Sequence, residues 1–167
     1  MAQNEPVREP LVVPAWHDPK ARTVVFNPSD FEVGIVVVTD ELISFATKDT
    51  ATFVAPCSQV GVKWLRMARP TRGCEMTFAG ERHRFYFARP LESVPGIDET
   101  GAQAALGNIS VAADLLELAT GPLATFASVT GFLGELAALP GEVLAARRGI
   151  RNGDSVRQRL ESAAAEA

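Results

Sequence analysis

Apolar and polar positions alternate with a period of two through much of the first half of the chain, and with a helical period through the second. Thr23–Phe26 is a short β-branched run closed by Asn27-Pro28. Gly34–Val38 is a stronger one, turned back at Asp40-Glu41 into Leu42–Phe45, which predicts a hairpin. Thr52–Val54 follows and stops at Pro56; Val60–Met67, containing Trp64 and Leu65, is another stretch. The plainest pattern runs from Glu75 to Phe87. Met76 and Phe78 alternate with Glu75 and Thr77, Ala79-Gly80 supplies the turn, and the return sets Arg82, Arg84 and Tyr86 opposite His83, Phe85 and Phe87. Together these predict a strongly curved antiparallel sheet or barrel over residues 22–90, with Val36, Val38, Phe78, Phe85 and Phe87 inside. Residues 1–21, with Pro6, Pro10, Pro14 and Pro19, read as an extended lead. Proline denies a ladder its donors, so Val12-Val13 is expected to make at most a short edge pairing.

After Pro90 the period becomes helical. Asn108 is expected to cap a helix to Ala119, with Ile109, Ala112, Leu115, Leu116 and Ala119 on one side, and this helix is expected to cap the barrel. Gly121-Pro122 ends it and opens a second helix, 122–139, with an apolar stripe of Phe126, Val129, Phe132, Leu133 and Leu136 and a small-residue edge that includes Gly131. A short helix to Arg148 with a glycine cap at Gly149, a turn at Asn152-Gly153 and a last piece capped by Asp154 complete the pattern. The expected fold class is α+β, divided as a lead (1–21), a sheet domain with its capping helix (22–119) and a C-terminal helical extension (120–167).

At 167 residues, 47% hydrophobic and 22% charged, one domain with an appended helical segment is the expectation. Two cysteines exclude a disulfide scaffold and a four-thiolate zinc site. The N-terminus lacks a basic start followed by an apolar run, so a cytoplasmic location with free thiols is expected. The net charge of -4 is unevenly spread. Residues 1–62 hold 4 basic and 8 acidic side chains, 63–89 hold 7 and 2, and 90–167 hold 5 and 10. The basic centre can face an anionic ligand, be paired internally, or be solvated. The candidate ligand-binding residues are Lys63, Arg66, Arg82 and Arg84. Their alternation makes no continuous basic stripe, since Lys63 and Arg66 fall on opposite faces, and nucleic acid is not an expected partner.

Other chemistry is thin. His17 and Asp18 are neighbours on an extended segment and point apart. His83 shares a face with Phe85 and Phe87, where a core histidine is expected rather than a base. No nucleophile elbow or phosphate loop is present, and the histidines and cysteines lack ligand spacing. No catalytic residue, metal, cofactor or small-molecule substrate is therefore expected. Leu118–Gly134 is uncharged, but at 17 residues, eight of them Gly, Pro, Ser or Thr, it is short and diluted for a membrane span.

The stretch from Gly34 to Phe45, a glycine before an apolar strand, a Thr-Asp turn and a returning strand with an aromatic end, resembles the opening hairpin of GRAM-type members of the pleckstrin-homology superfamily. Phe53–Pro56 followed by Val60 resembles their next strand, and Gly80–Phe87 their late strand with a basic start and aromatic finish. The likeness covers residues 22–90 and a helix beginning near 100. It implies a PH-like barrel acting as a binding platform for phosphoinositides, peptides or proteins. Lipid-binding members carry cations around their first loop, where this chain has Asp30 and Glu32. The expected function is thus non-catalytic binding or scaffolding, through a protein partner or self-association. The interface is expected at Phe126, Val129, Gly131, Phe132, Leu133 and Leu136. The alternative is peripheral attachment to an anionic membrane through a basic sheet surface and the apolar helix.

Overall fold

A computed structural model describes residues 8–20, 30–65, 73–90, 93–120 and 142–166. Among these, seven strands form one antiparallel sheet: β1 (Leu11–Asp18), β2 (Glu32–Val38), β3 (Leu42–Thr47), β4 (Ala51–Pro56), β5 (Gly61–Trp64), β6 (Cys74–Phe78) and β7 (Glu81–Tyr86). Their order across the sheet is β4-β3-β2-β1-β7-β6-β5. Two helices follow, α1 (Glu99–Thr120) and α2 (Glu142–Glu166). The fold is α+β, and the sheet followed by a helix is compatible with a PH-like fold.

The sheet is strongly curled. β4 and β7 stand four places apart in the strand order, about 19 Å on a flat sheet at roughly 4.8 Å per strand. Yet the Phe53 ring of β4 lies 5.3 Å from the His83 ring and 5.8 Å from the Phe85 ring of β7, centroid to centroid. The concave face is packed solid with Val13, Val36, Val38, Ile43, Phe45, Phe53, Met76, Phe85 and Phe87. Phe78 is half-buried against the same core.

Local chemistry sets the turns. Thr39 Oγ1 accepts the Leu42 and Glu41 amides at 2.9 and 3.3 Å, and Thr47 Oγ1 accepts those of Asp49 and Thr50, both at 3.2 Å. The β6–β7 hairpin closes with positive φ at both Ala79 (50°) and Gly80 (83°), the geometry of a two-residue turn that matches strand twist.

Several expectations change. The supposed lead holds β1, which lies between β2 and β7. Pro14 is tolerated because, among the described residues, β7 pairs with β1 only from Trp16 to Asp18, leaving one edge of Pro14 free of a ladder. Thr23–Phe26 lies outside the described residues.

α1 begins ten residues, nearly three turns, earlier than expected, capped by Asp98, whose Oδ1 accepts the Gly101 amide at 2.7 Å. Asn108 sits inside the helix and donates from Nδ2 to the Thr47 carbonyl at 3.1 Å. α1 does not cap the curl. It covers the convex face of β2–β4, burying Ala102, Ala105, Leu106, Ile109 and Ala113 against Ile35, Val37, Leu42 and Ala46. β2 and β3 are apolar on both faces because both faces are covered. Leu115 therefore points away from the sheet.

The helix that closes the curl is α2, through Val156 and Leu160. It is continuous where a cap and a turn were expected. Gly149 and Gly153 line the same buried side as Val156 and Leu160. At Gly149 a Cβ would stand 2.5 Å from the Phe87 carbonyl oxygen, so this glycine serves close approach rather than helix ending. Around this contact Arg159 pairs with Asp40 at 3.4 Å and Arg157 lies 5.8 Å over the Trp64 ring.

Candidate functional site

α2 closes one mouth of the curl, beside Phe87, Ala88 and the start of β1. The other mouth, where β1 ends and β2 begins, is closed by side chains. His17 follows Val13 and Ala15 on the concave side of β1 and is 1% exposed. Glu32 is its direct cross-strand partner on β2. His17 Nδ1 lies 2.8 Å from Glu32 Oε2, and His17 Nε2 lies 3.1 Å from His83 Nδ1. His83 Nε2 in turn lies 3.7 Å from Glu81 Oε2. Phe85 stacks on His17 with centroids 4.9 Å apart, Phe45 tilts against it at 5.2 Å, and Phe53 covers His83.

The carboxylate assigns the tautomers. Glu32 accepts, so Nδ1 of His17 carries the proton and its Nε2 accepts from Nδ1–H of His83. The lone pair left over is at His83 Nε2, beside Glu81. Burial is the largest influence on both rings and holds both below the ordinary imidazole value; Glu32 pulls His17 the other way, and Glu81 and Glu32 do the same for His83. The arrangement is a one-directional hydrogen-bond chain from His83 through His17 to Glu32, with the lone pair of His83 Nε2 standing 3.7 Å from the Glu81 carboxylate and able to take up a proton there.

On the opposite face of the same strands the register forms a row of alternating charge: Lys63 opposite Glu75, Glu75 opposite Arg84, Arg84 opposite Asp18. Arg84 donates from Nη2 to Glu75 Oε2 at 3.0 Å and hydrogen-bonds the Tyr86 side chain. It is 7% exposed and, of the alternatives left open for the basic centre, takes internal pairing, its charge being used inside the fold. Trp16, Tyr86 and Val94 form a small core on this side, with Trp16 Nε1 donating to the Pro95 carbonyl at 2.9 Å. Lys63 and Arg82 share the outer face and are exposed. Arg66 lies outside the described residues, as do all six expected interface residues, Phe126, Val129, Gly131, Phe132, Leu133 and Leu136.

Among the described residues, clefts outside the curl include two. One of about 570 Å³ separates the start of β1 from α2, and one of about 490 Å³ lies at the start of α1. Polar groups at both are engaged within the fold: Arg159 on Asp40 and the Glu9 carbonyl in the first, Glu32 on His17 and Asp98 as helix cap in the second. Both cysteines are free thiols; burial pushes Cys57 up to about 11 and Cys74 further, so neither is a thiolate near neutrality. No group of three or more metal-ligating side chains occurs among the described residues, and no described helix is long and apolar enough to cross a membrane. No protein-family model matches the chain, and no curated protein or solved structure matches it.

Sequence reasoning missed the histidine pair. His83 was assignable to the concave face by its alternation with Phe85 and Phe87. Its partner is 66 residues away on a strand disguised by Pro14. The available signal was the parity of Val13, Ala15 and His17 within Leu11–Asp18.

Proposed function

We propose that this chain is a non-catalytic binding module of PH-like, GRAM-type character that works through its outer surface, by self-association or contact with another protein. The filled curl carries this reading. Phe45, Phe53, Phe85 and Phe87 occupy the concave face, with Val156 and Leu160 over one mouth, so a partner has the exterior to bind. On that exterior, α1 presents Val111 and Leu115, 61% and 63% exposed, one turn apart and away from the sheet. The lipid alternative is weakened because Arg84 is taken by Glu75, leaving Lys63 and Arg82 as the exposed cations of the candidate set among the described residues.

Sedimentation velocity of the full chain beside the Val111→Ser, Leu115→Ser double variant tests the reading. Self-association that weakens in the variant, with unchanged melting, supports it. A monomer at every concentration that instead pellets with anionic vesicles refutes it in favour of the membrane alternative, and a monomer indifferent to vesicles removes self-association and the membrane alternative, leaving contact with another protein.

A further inference from the structure

The histidine pair occupies a particular place in the sheet. The β1–β7 ladder ends at the pair Asp18–Arg84, and the His17–His83 bond continues the connection one diagonal further, at the point where the strands part. Phe53 reaches across from β4 to cover His83 at this same point. The two rings thus hold β7 to β1 beneath β4 at the mouth that α2 does not reach.

We propose that His17 and His83 form a proton-operated latch on this mouth, closed while the pair holds no more than one extra proton and opened by the second. The geometry distinguishes the two steps. The first proton enters at His83 Nε2, beside Glu81, and leaves the Nδ1–H of His83 still donating to His17. That hydrogen bond becomes charge-assisted, so the latch tightens. The second proton has one place to go, His17 Nε2, because Nδ1 already carries the proton given to Glu32. Two N–H groups then face each other across a 3.1 Å gap, and two imidazolium rings whose centroids lie 5.2 Å apart repel.

Among the described residues the charged groups around the pair come from three strands: Glu32 from β2, Asp18 from β1 and Glu81 from β7. β3 and β4 contribute only the rings of Phe45 and Phe53 to this contact. Glu81 and Glu32 favour the first charge on His83, and Glu32 and Asp18 favour a charge on His17; what opposes the second proton is the loss of the His83–His17 hydrogen bond, the repulsion between the two rings and the burial of His17.

Imidazole nitrogen NMR across an acid titration, with amide exchange measured at each pH, tests the latch on the full chain. The expected record is two resolved steps. His83 titrates first while His17 stays neutral with its proton on Nδ1. At the second step the amides of Arg82, His83 and Arg84 lose protection while those of Ile43–Ala46 keep theirs. Glu81→Gln, at an exposed position, should move the first step to lower pH and leave the tautomer of His17 unchanged. A His17 proton on Nε2 at neutral pH, a single unresolved step, a first step that Glu81→Gln does not move, or loss of protection over the whole sheet at once would each overturn the proposal.

Discussion

Gly149 and Gly107 make a matched pair of perturbations with opposite expected signs. Both are glycines inside α-helices, where replacement by alanine gains about 1 kcal/mol from propensity alone. At Gly107, on the exposed side of α1, an added Cβ meets nothing within 4 Å, so Gly107→Ala should realise that gain. At Gly149 the added Cβ would lie 2.5 Å from the Phe87 carbonyl oxygen, 2.7 Å from Ala88 Cα and 2.8 Å from Ala88 Cβ. Main-chain atoms cannot rotate aside, so α2 must retreat by roughly 1 Å to restore ordinary contact. A retreat of that size forfeits a quarter to a half of the dispersion attraction that Val156 and Leu160 make with the curl. Overpacking of this kind costs about 1–3 kcal/mol. Allowing for the propensity gain and the loosened contacts, Gly149→Ala should destabilise by about 1–2 kcal/mol. At about 2–4 °C per kcal/mol for a chain this size, Tm should fall by about 2–8 °C for Gly149→Ala and rise by about 2–4 °C for Gly107→Ala. Thermal melts followed by circular dichroism, with urea curves to confirm that the slope is unchanged, measure both. Two variants stabilised alike would refute the docking of α2 against the end of β7.

Four further outcomes follow from named contacts. Phe85→Ala, removing a ring that packs on His17, Phe45 and Phe53, should cost about 3–5 kcal/mol in urea unfolding. Arg84→Ala should cost about 3 kcal/mol by stranding Glu75, whereas Arg82→Ala should stay within about 0.5 kcal/mol; equal effects would refute the distinction between a buried pair and a surface cation. Ala79→Gly should raise stability by about 0.5–1 kcal/mol, since an L-residue is held there at a φ of 50°. Because burial keeps both histidines below their ordinary value, the unfolded chain binds protons that the folded one refuses. Their contribution is therefore complete above about pH 6.5 and declines as pH falls from there toward the lower folded values. Urea midpoints measured downward from neutrality should show that decline, and His83→Phe should flatten it.

The elements readable in the sequence are those that local chemistry decides. The β6–β7 hairpin shows because alternation on both strands and a glycine turn agree, and the β2–β3 hairpin because a threonine turn separates two apolar runs. What stayed hidden depends on distant partners. Pro14 made β1 look like a lead, although an edge without a ladder excuses the missing donor. Gly149 and Asn152-Gly153 carry the residue types of a helix end and a turn, yet both stretches are helical because α2 must come close to Phe87 and Ala88. Arg84 lies on the face its parity indicated. Its burial comes from Glu75, Tyr86 and the small core around Trp16, which alternation cannot register. The expected helix cap at Asn108 became a bond to the sheet for a related reason: a side chain that can cap a helix end can also satisfy a strand-end carbonyl such as that of Thr47.

The two mouths of the curl show why histidine stands where a phenylalanine would pack as well. A curled sheet leaves an opening at each end, where strands diverge and backbone groups lose their neighbours. At one end α2 fills the opening with Val156 and Leu160, and glycine lets the helix come near enough. At the other, the connection between β1 and β7 has ended, and an apolar ring would seal the gap without joining the strands. Paired imidazoles do both: their faces stack on Phe45, Phe53 and Phe85, and their edges link β2, β1 and β7 in one chain from Glu32 to His83, with Glu81 beside its end. Buried polar groups are tolerable when each has a partner, and here three of the four ring nitrogens are hydrogen-bonded while His83 Nε2, beside Glu81, is the one open to a proton. That condition holds for a limited number of protons, so in the proposed latch this end of the fold answers to imidazole protonation, whereas the α2 end is closed by aliphatic contact, close backbone approach and the Arg159–Asp40 ion pair.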